Sequence, residues 1–415
     1  MDLDELTAFR RDMHRYAEPA FAEIGTAVRI EAAIGRLPVT VTTGSAAHNL
    51  DEVVNYPSVE VLDEWADRAR ASGLPADRVS YFRENGTALI VDLEGNRPGP
   101  RWGLRVDIDA LPMFESDGAD HLPARLGFRS PNKAMHACGH DAHTTMGIGL
   151  LHRLRDRDFA GSLRVLFQPA EEGVRGAQTM IEAAAVDTVD RMLAIHVAGE
   201  IAVGTVVGSC TGGLATRKLL VNFTGRASHA AGAPEQGRNA LLAAAVSATG
   251  IMSIPRYSTA DTRLNVGTLH AGDGVNIVPA TAELTCEARA TDDDIVDEIV
   301  ERIRAVVAGS SLAYGVSHEV AIMGRASRIT PDPELVDAIV AVAQRHPAVD
   351  TVVPTMDFPG SDDANLLIRR VQQQGGTGAY MMVGTSSPGP HHSENFDIDE
   401  GSILVGIDLL ESLIR

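Results

Sequence analysis

The sequence predicts an α/β protein: a doubly wound mixed sheet interrupted by a smaller, inserted α+β domain of ferredoxin-like order. Three observations carry this expectation. In the first half of the chain, near-continuous apolar runs of strand length end in residues able to do chemistry, and helical stretches lie between them. Such runs suit strands buried on both faces of a largely parallel sheet. From about Gly212 the texture changes to alternating, half-exposed strands, and beyond about residue 326 the first texture returns. At 415 residues the chain is also longer than one ordinary core can organise. The expected division is 1–211 with 326–415 for the larger domain and 212–325 for the inserted one.

In chain order, residues 5–35 read as an amphipathic helix, broken near Ala17-Glu18-Pro19 and resuming through Ala33. His14 within it reads as a surface or core-edge histidine. Residues 36–100 carry weaker patterning, with a helix over Val59 to Ala71 and a strand over Thr87 to Leu93. A turn follows at Gly95-Asn96-Arg97-Pro98-Gly99-Pro100. The run from Trp102 to Pro112 is a buried strand carrying Asp107 and Asp109, which either cap the next turn or take part in chemistry. Met135-His136-Ala137-Cys138-Gly139-His140-Asp141-Ala142-His143 packs one thiol and three imidazoles into nine residues, and Thr144 to Leu154 reads as the helix after it. Ser162 to Gln168 is a strand stopped by Pro169 that delivers Glu171 and Glu172 to a loop, and Met192 to Val197 is a strand carrying His196.

The inserted segment reads as strand Lys218–Thr224, helix Gly237–Ile251, strands Arg263–Leu269 and Ala282–Arg289, helix Asp293–Val307 and strand Ser317–Met323. Strand, helix, two strands, helix, strand is the ferredoxin-like order. The larger pattern then resumes with helices at Pro333–Gln344 and Asp363–Gln372 and a strand at Ala379–Val383. A loop with His391 and His392 follows, and a helix over Glu400–Ile414 closes the chain.

Composition narrows the function classes. The chain is 44% hydrophobic with mean hydropathy −0.01, and no apolar run approaches the roughly 20 residues that span a bilayer. The start, Met1-Asp2-Leu3-Asp4-Glu5, lacks the basic and apolar parts of a signal peptide. Three scattered cysteines make no disulfide framework, so the expectation is a cytoplasmic protein with reduced thiols. A net charge of −20 argues against nucleic acid or an anionic membrane as partner.

Cys138, His140, the pair Glu171-Glu172, His196 and His391-His392 are metal-ligand residue types brought by separate segments. Singly, each has a commoner structural explanation; jointly, they could hold one or two Zn²⁺ or Mn²⁺ ions. Two such ions about 3.5–4 Å apart polarise a carbonyl and activate water. Of two adjacent glutamates, one pinned as ligand leaves its neighbour free to take the water's proton.

The segment from Met135 to His143, Phe167-Gln168-Pro169-Ala170-Glu171-Glu172-Gly173 and Asp107-Ile108-Asp109-Ala110-Leu111-Pro112 resemble the M20 metallopeptidases, in particular the amidohydrolases of hippurate and auxin-conjugate type. Four more segments, 13–18, 172–177, 239–245 and 391–397, narrow the resemblance toward the members that cleave p-aminobenzoyl-glutamate. It runs from about residue 8 to the end. The resemblance implies Cys138, His140, Glu172, His196 and His392 as ligands of a two-metal site, with Cys138 bridging or nearly so. Glu171 would be the general base. His229, in Gly225-Arg226-Ala227-Ser228-His229-Ala230, would hold the oxyanion across a dimer. Asn276 and Arg289 match positions tied to the substrate carboxylate or the scissile carbonyl, and a guanidinium fork suits a carboxylate.

The implied reaction is cleavage of an N-acyl, best an N-aroyl, amino acid amide, such as p-aminobenzoyl-glutamate to p-aminobenzoate and glutamate. The inserted domain is implied as a lid and dimerisation domain, in a homodimer or a heterodimer with a related chain. Of the two terminal histidines, His392 matches the family ligand and His391 takes a place that is often apolar. Two departures stand out: Gly360-Ser361-Asp362-Asp363 has aspartate where the branch more often has glutamate, and Arg105 lies where the wider group carries a metal histidine, an absence that fits this branch, in which His140 compensates. Three other readings stay open: a hydrolase of indole-acetyl or hippurate-type substrates, a hydrolase using Cys138 and His140 as nucleophile and base, and a non-catalytic member of a hetero-oligomeric hydrolase. An intact Glu171 speaks against the last.

Overall fold

The computed structural model describes residues 1–51, 53–358 and 360–415. The chain divides into two compact units. The larger comprises Met1–Thr211, Ile329–Phe358 and Asp362–Arg415, and the smaller Gly212–Arg328 with a short segment ending at Ser361.

The larger unit begins with α1 (Leu3–Arg15), α2 (Ile24–Ile34), β1 (Thr40–Thr43), α3 (Val59–Ala71), α4 (Ala76–Asn85), β2 (Leu89–Glu94) and β3 (Arg97–Asp107). It continues with α5 (Leu122–Leu126), α6 (His140–Arg153), β4 (Ala160–Gln168), α7 (Gly176–Glu182), β5 (Arg191–Ala198) and β6 (Thr205–Thr211). The smaller unit holds β7 (Ala215–Thr224), α8 (Ala240–Met252), β8 (Thr262–Ala271), β9 (Thr281–Ala290), α9 (Asp293–Tyr314) and β10 (Ser317–Ala326). The larger unit then closes with α10 (Pro333–Ala343), β11 (Thr351–Asp357), α11 (Ala364–Gln373), β12 (Thr377–Gly384) and α12 (Gly401–Ile414).

The eight-stranded sheet runs β1-β2-β4-β3-β5-β12-β6-β11. Its centre, β4-β3-β5-β12, is parallel, while β1, β2 and the β12–β6 junction are antiparallel, so the sheet is mixed. Successive side chains of a strand face opposite sides, and both sides here are covered. Leu193, Ile195 and Val197 of β5 join the core formed with α1, α2, α6 and α12, whereas Met192 and Ala194 join the core under α7 and α11. In the smaller unit the four strands are antiparallel in the order β10-β7-β9-β8. Leu219, Val221 and Phe223 of β7 alternate inward, where α8 and α9 pack on them. Among the described residues no helix is long and apolar enough to cross a membrane.

Three sequence expectations change. β3 stops at Asp107 rather than Pro112, because the chain peels away to bond elsewhere: Ala110 N donates to Glu18 O and Leu111 pairs with Met135. α6 begins at His140, four residues earlier than the apolar run suggests. His14 is fully buried, held by Asp141 and Glu115 from distant segments. Among the strands the pattern missed, β11 carries Pro354 inside it, which the sheet edge tolerates because an edge residue can lack a donor N–H.

Candidate metal centre

β3, β4 and β5 run parallel with Asp107 level with Gln168, so their carboxyl ends open on one side of the sheet. That is where open α/β sheets bind ligands. Asp107 and Asp109 arrive from β3, Glu171 and Glu172 from the loop after β4, His196 from β5, and His391-His392 from the loop after β12. Cys138 and His140 flank Gly139, whose φ of +86° ends one turn and opens α6. A Cβ on Gly139 would lie 2.4 Å from Val197 Cγ2, so both its conformation and its surroundings demand glycine.

The donor atoms of Cys138, His140 and His196 lie within 4.8 Å of one another, and so do those of Cys138, Glu172 and His392. Cys138 is common to both sets. Hydrogen bonds orient the imidazoles. His140 Nδ1 donates to Asp109 O at 2.8 Å and His196 Nδ1 to Val197 O at 2.6 Å, so in both rings Nε2 is the nitrogen left to face the site. His196 Nε2 lies 3.6 Å from Cys138 Sγ. His392, with φ +65°, sets Nε2 3.5 Å from Glu172 Oε1. His140 Nε2 and Glu172 Oε1 are buried and have no hydrogen-bond partner. Buried polar atoms are otherwise nearly always satisfied, so these two fit a cation as their missing partner.

Asp109, which the sequence left open between turn cap and chemistry, orders the site. Its carboxylate accepts Glu171 N–H at 2.9 Å and Glu172 N–H at 3.0 Å, while its carbonyl orients His140. Ala170 and Val174, on either side of the glutamates, have φ of +54° and +59°, left-handed values uncommon for such residues. Behind the pair lies Arg105, fully buried and bonded to Asp107 at 2.6 Å, Asp362 at 3.0 Å and Asp363 at 3.2 Å. Tyr380 OH donates to Asp362 at 2.7 Å. The aspartate in place of the branch's glutamate is thus tied to a buried arginine and a tyrosine. The sequence marks Arg105 only as a departure from the wider family and leaves Asp109 open between cap and chemistry; it gives no sign of Tyr380, whose partner comes from another segment.

Charge is crowded here. Burial, with Asp362 and Glu172 nearby, holds the Glu171 carboxyl well above the usual carboxylate range. Burial likewise pushes Glu172 up to about 7 against the pull of His140. The Cys138 thiol is pushed up by burial, and His196 is pushed down, chiefly by burial. A dication bound among these groups would act on the carboxyl and thiol groups in the opposite sense. His391 stands outside both ligand sets: its Nε2 accepts Gly199 N–H at 3.2 Å.

The remaining expected residues lie in the smaller unit. His229 is exposed, and its Nδ1 accepts N–H groups from Ala231 and Gly232 at 3.1 and 3.0 Å, which leaves Nε2 as the donor. His229 pairs with Ile277, and Ala230 N bonds to Asn276 O, so His229 and Asn276 come together. Arg289 on β9 is held by Glu287, at 3.1 and 3.2 Å.

A profile described as Peptidase family M20/M25/M40 matches residues 103–415. The indole-3-acetyl-aspartic acid hydrolase of Enterobacter agglomerans is 41% identical over 413 residues, covering 98% of this chain and 94% of that protein. One of the component chains of the p-aminobenzoyl-glutamate hydrolase of Escherichia coli is 37% identical over 410 residues, covering 98% and 94%. The crystal structure of an aminobenzoyl-glutamate utilization protein from Klebsiella pneumoniae superposes with a TM-score of 0.83 at 35% identity, covering 99% of this chain and 96% of that one.

Proposed function

The chain belongs to the peptidase family M20/M25/M40, and on that footing we propose that it is a two-metal amidohydrolase of N-acyl amino acids, with p-aminobenzoyl-glutamate as its substrate. The observation that carries this reading is the pair of ligand sets sharing Cys138. We take Cys138, His140 and His196 to hold one ion, and Cys138, Glu172 and His392 the other. Mn²⁺ or Zn²⁺ there would supply Lewis acidity, polarising the amide carbonyl and drawing the pKa of water toward about 7.

The chain's own groups do the rest. Glu171 takes the proton of the attacking water as its oxygen bonds to the carbonyl carbon. It then gives that proton to the amide nitrogen as the C–N bond breaks. Its carboxylate stands beside the ligand sets, with Oε2 3.8 Å from His140 Nε2, where a water held there would be within its reach. We assign His229 as the donor to the oxyanion through Nε2–H, and Asn276 and Arg289 to the substrate's carbonyl and carboxylate. Arg289 would have to exchange Glu287 for that carboxylate. The same environment argues against Cys138 as a nucleophile, since a thiol pushed up by burial carries little thiolate.

The two relatives are named for an aromatic acyl group joined to an acidic amino acid. That supports an aroyl or aryl-acetyl conjugate of glutamate or aspartate, and the 41% identity keeps indole-3-acetyl-aspartate as the second reading. We read the smaller unit as a ferredoxin-like lid and dimerisation domain, inserted in the catalytic domain. A homodimer or a pairing with a related chain follows, the latter suggested by the Escherichia coli relative, whose name makes it one component of a larger enzyme. All three cysteines are free, in keeping with a cytoplasmic location.

The test is release of p-aminobenzoate from p-aminobenzoyl-glutamate by the purified chain reloaded with Mn²⁺ or Zn²⁺, with indole-3-acetyl-aspartate in parallel and a chelated control. Metal-dependent release from the first substrate is expected. Faster turnover of the second would overturn the substrate assignment, and turnover that survives chelation would overturn the metal reading.

A further inference from the structure

His143 lies inside the densest part of the centre, yet neither ligand set contains it. It is fully buried on the first turn of α6, one turn after His140. Its ring stands 4.4 Å from that of His196 and 5.6 Å from that of His140. Taken with Asp107 and His140 it forms a third group whose donor atoms lie within 4.8 Å, which by composition alone reads as another metal site.

The hydrogen bonds say otherwise. His143 Nε2 lies 2.9 Å from the backbone N–H of Val197, a group that can only donate, so this nitrogen is the acceptor and bears no proton. Nδ1 is therefore the protonated nitrogen, and it donates to Asp107 Oδ1 at 2.6 Å. Both ring positions are spent. The other oxygen of Asp107 is 2.6 Å from the Arg105 guanidinium, a fixed positive charge beside which a dication would be repelled. A ring that bonds at both nitrogens, facing a carboxylate already neutralised, offers a metal nothing.

We propose that His143 is a positioning residue: a neutral imidazole that locks the end of β3, the start of α6 and the end of β5 in one geometry, without coordinating metal itself. Through Val197 it fixes the residue that follows His196 and whose carbonyl sets the His196 tautomer. Through Asp107 it holds the carboxylate 3.6 Å from His140 Nε2. Its ring also packs against that of His196, with centroids 4.4 Å apart. The inference rests on the ligand set proposed above, and it adds a residue that acts through those ligands.

The test is calorimetric titration of the metal-stripped full chain with Zn²⁺, comparing wild type with His143→Ala, His143→Asn and His143→Gln. Asn places an amide where Nδ1 meets Asp107, and Gln places one where Nε2 meets Val197, so each variant keeps one link. Loss of an outer hydrogen-bond partner typically costs 10–100-fold in metal affinity. His143→Ala should lose that much zinc affinity, with Asn and Gln falling between Ala and wild type. The ¹⁵N spectrum of the wild-type histidines should show His143 as the Nδ1–H tautomer both with and without zinc. Equal affinity in the Ala variant, or a His143 Nε2 resonance that moves to a metal-bound position on zinc addition, would overturn the proposal. Should the Ala variant fail to fold, the Asn and Gln variants and the spectrum still decide. If the wild type takes up no zinc, the ligand set and this inference fall together; if it does and the Ala variant matches it, only the role of His143 falls.

Discussion

Glu171 and Glu172 are neighbours in the chain with opposite assignments, and Asp109 separates them. By accepting both backbone N–H groups it fixes the loop, so one carboxylate meets His392 while the other lies toward Asp362 and Asp363. Replacing the carboxylate of Glu171 with an amide preserves shape and removes the proton acceptor. Glu171→Gln should therefore bind metal as the wild type does and lower kcat by about 10²–10⁴-fold, the usual contribution of a general base. Metal content and steady-state rates measured on one preparation would check this; near-normal kcat would remove Glu171 from the role. The adjacent-glutamate pattern and Cys-x-His were legible in the sequence because both are local. Arg105 was not, since its three aspartates include two that lie far along the chain. The fork of Arg289 looked free for a substrate, and only the folded strand showed Glu287 already beside it.

At the scale of elements, α6 decides whether the centre forms. Its first residue is His140 and its first turn also carries Asp141 and His143, so the helix start sets the direction of three side chains at once. The apolar run beginning at Thr144 located the helix body but not this start, because the first turn is polar and its partners are tertiary. Gly139 makes the start possible. Gly139→Ala should cost about 1–2 kcal/mol for the left-handed backbone alone, and more for the clash with Val197. The expected outcome is a lower urea midpoint together with weaker zinc binding. An unchanged midpoint would mean that the loop relaxes without glycine. The strands were recognised where long apolar runs mark them, as in β4, β5 and β12, and missed where the strand is short, as in β1, carries proline at the sheet edge, as in β11, or has its apolar run broken by Gly208 and Ser209, as in the buried β6.

Across the whole larger unit, the two ends of the chain are joined by buried charge. Arg10 of α1 bonds Asp141 at 2.7 Å and Asp397 at 2.7 Å, and Arg11 pairs with Glu400 at 2.7 Å. His14 meets Asp141 at 2.8 Å and Glu115 at 2.9 Å, and because carboxylates accept, both its nitrogens donate and the ring is an imidazolium. Burial and Arg10 oppose that charge, but the two carboxylates prevail and lift His14 from 6.5 to about 9. A group whose pKa is raised on folding stabilises fully below its unfolded value and loses that contribution as pH rises through the folded one. The window here is pH 6.5 to about 9, and at about 1.4 kcal/mol per pH unit the loss is on the order of 3 kcal/mol. Thermal midpoints should fall between about pH 7 and pH 9.5 in the wild type, the span that brackets this window. In His14→Gln they should be lower at neutral pH and fall less steeply over that range, the remaining slope coming from buried carboxyls such as Glu23, which burial pushes up to about 8; an equal slope in both would exclude His14 as a cause.

Local rules along the chain were enough for the α/β class, the interruption by a second pattern near Gly212, and the residue types that make the candidate centre. Burial sets the length and spacing of apolar runs, and metal chemistry restricts donors to a few side chains, so both leave their mark in the order of residues. The folded chain was needed to show which donors lie near Cys138, which histidine nitrogen faces the site, that His391 stands aside, and how Asp109, Arg105 and His143 are bonded around them. Each of these depends on hydrogen bonds between segments distant in the chain, and no spacing along the sequence carries that information.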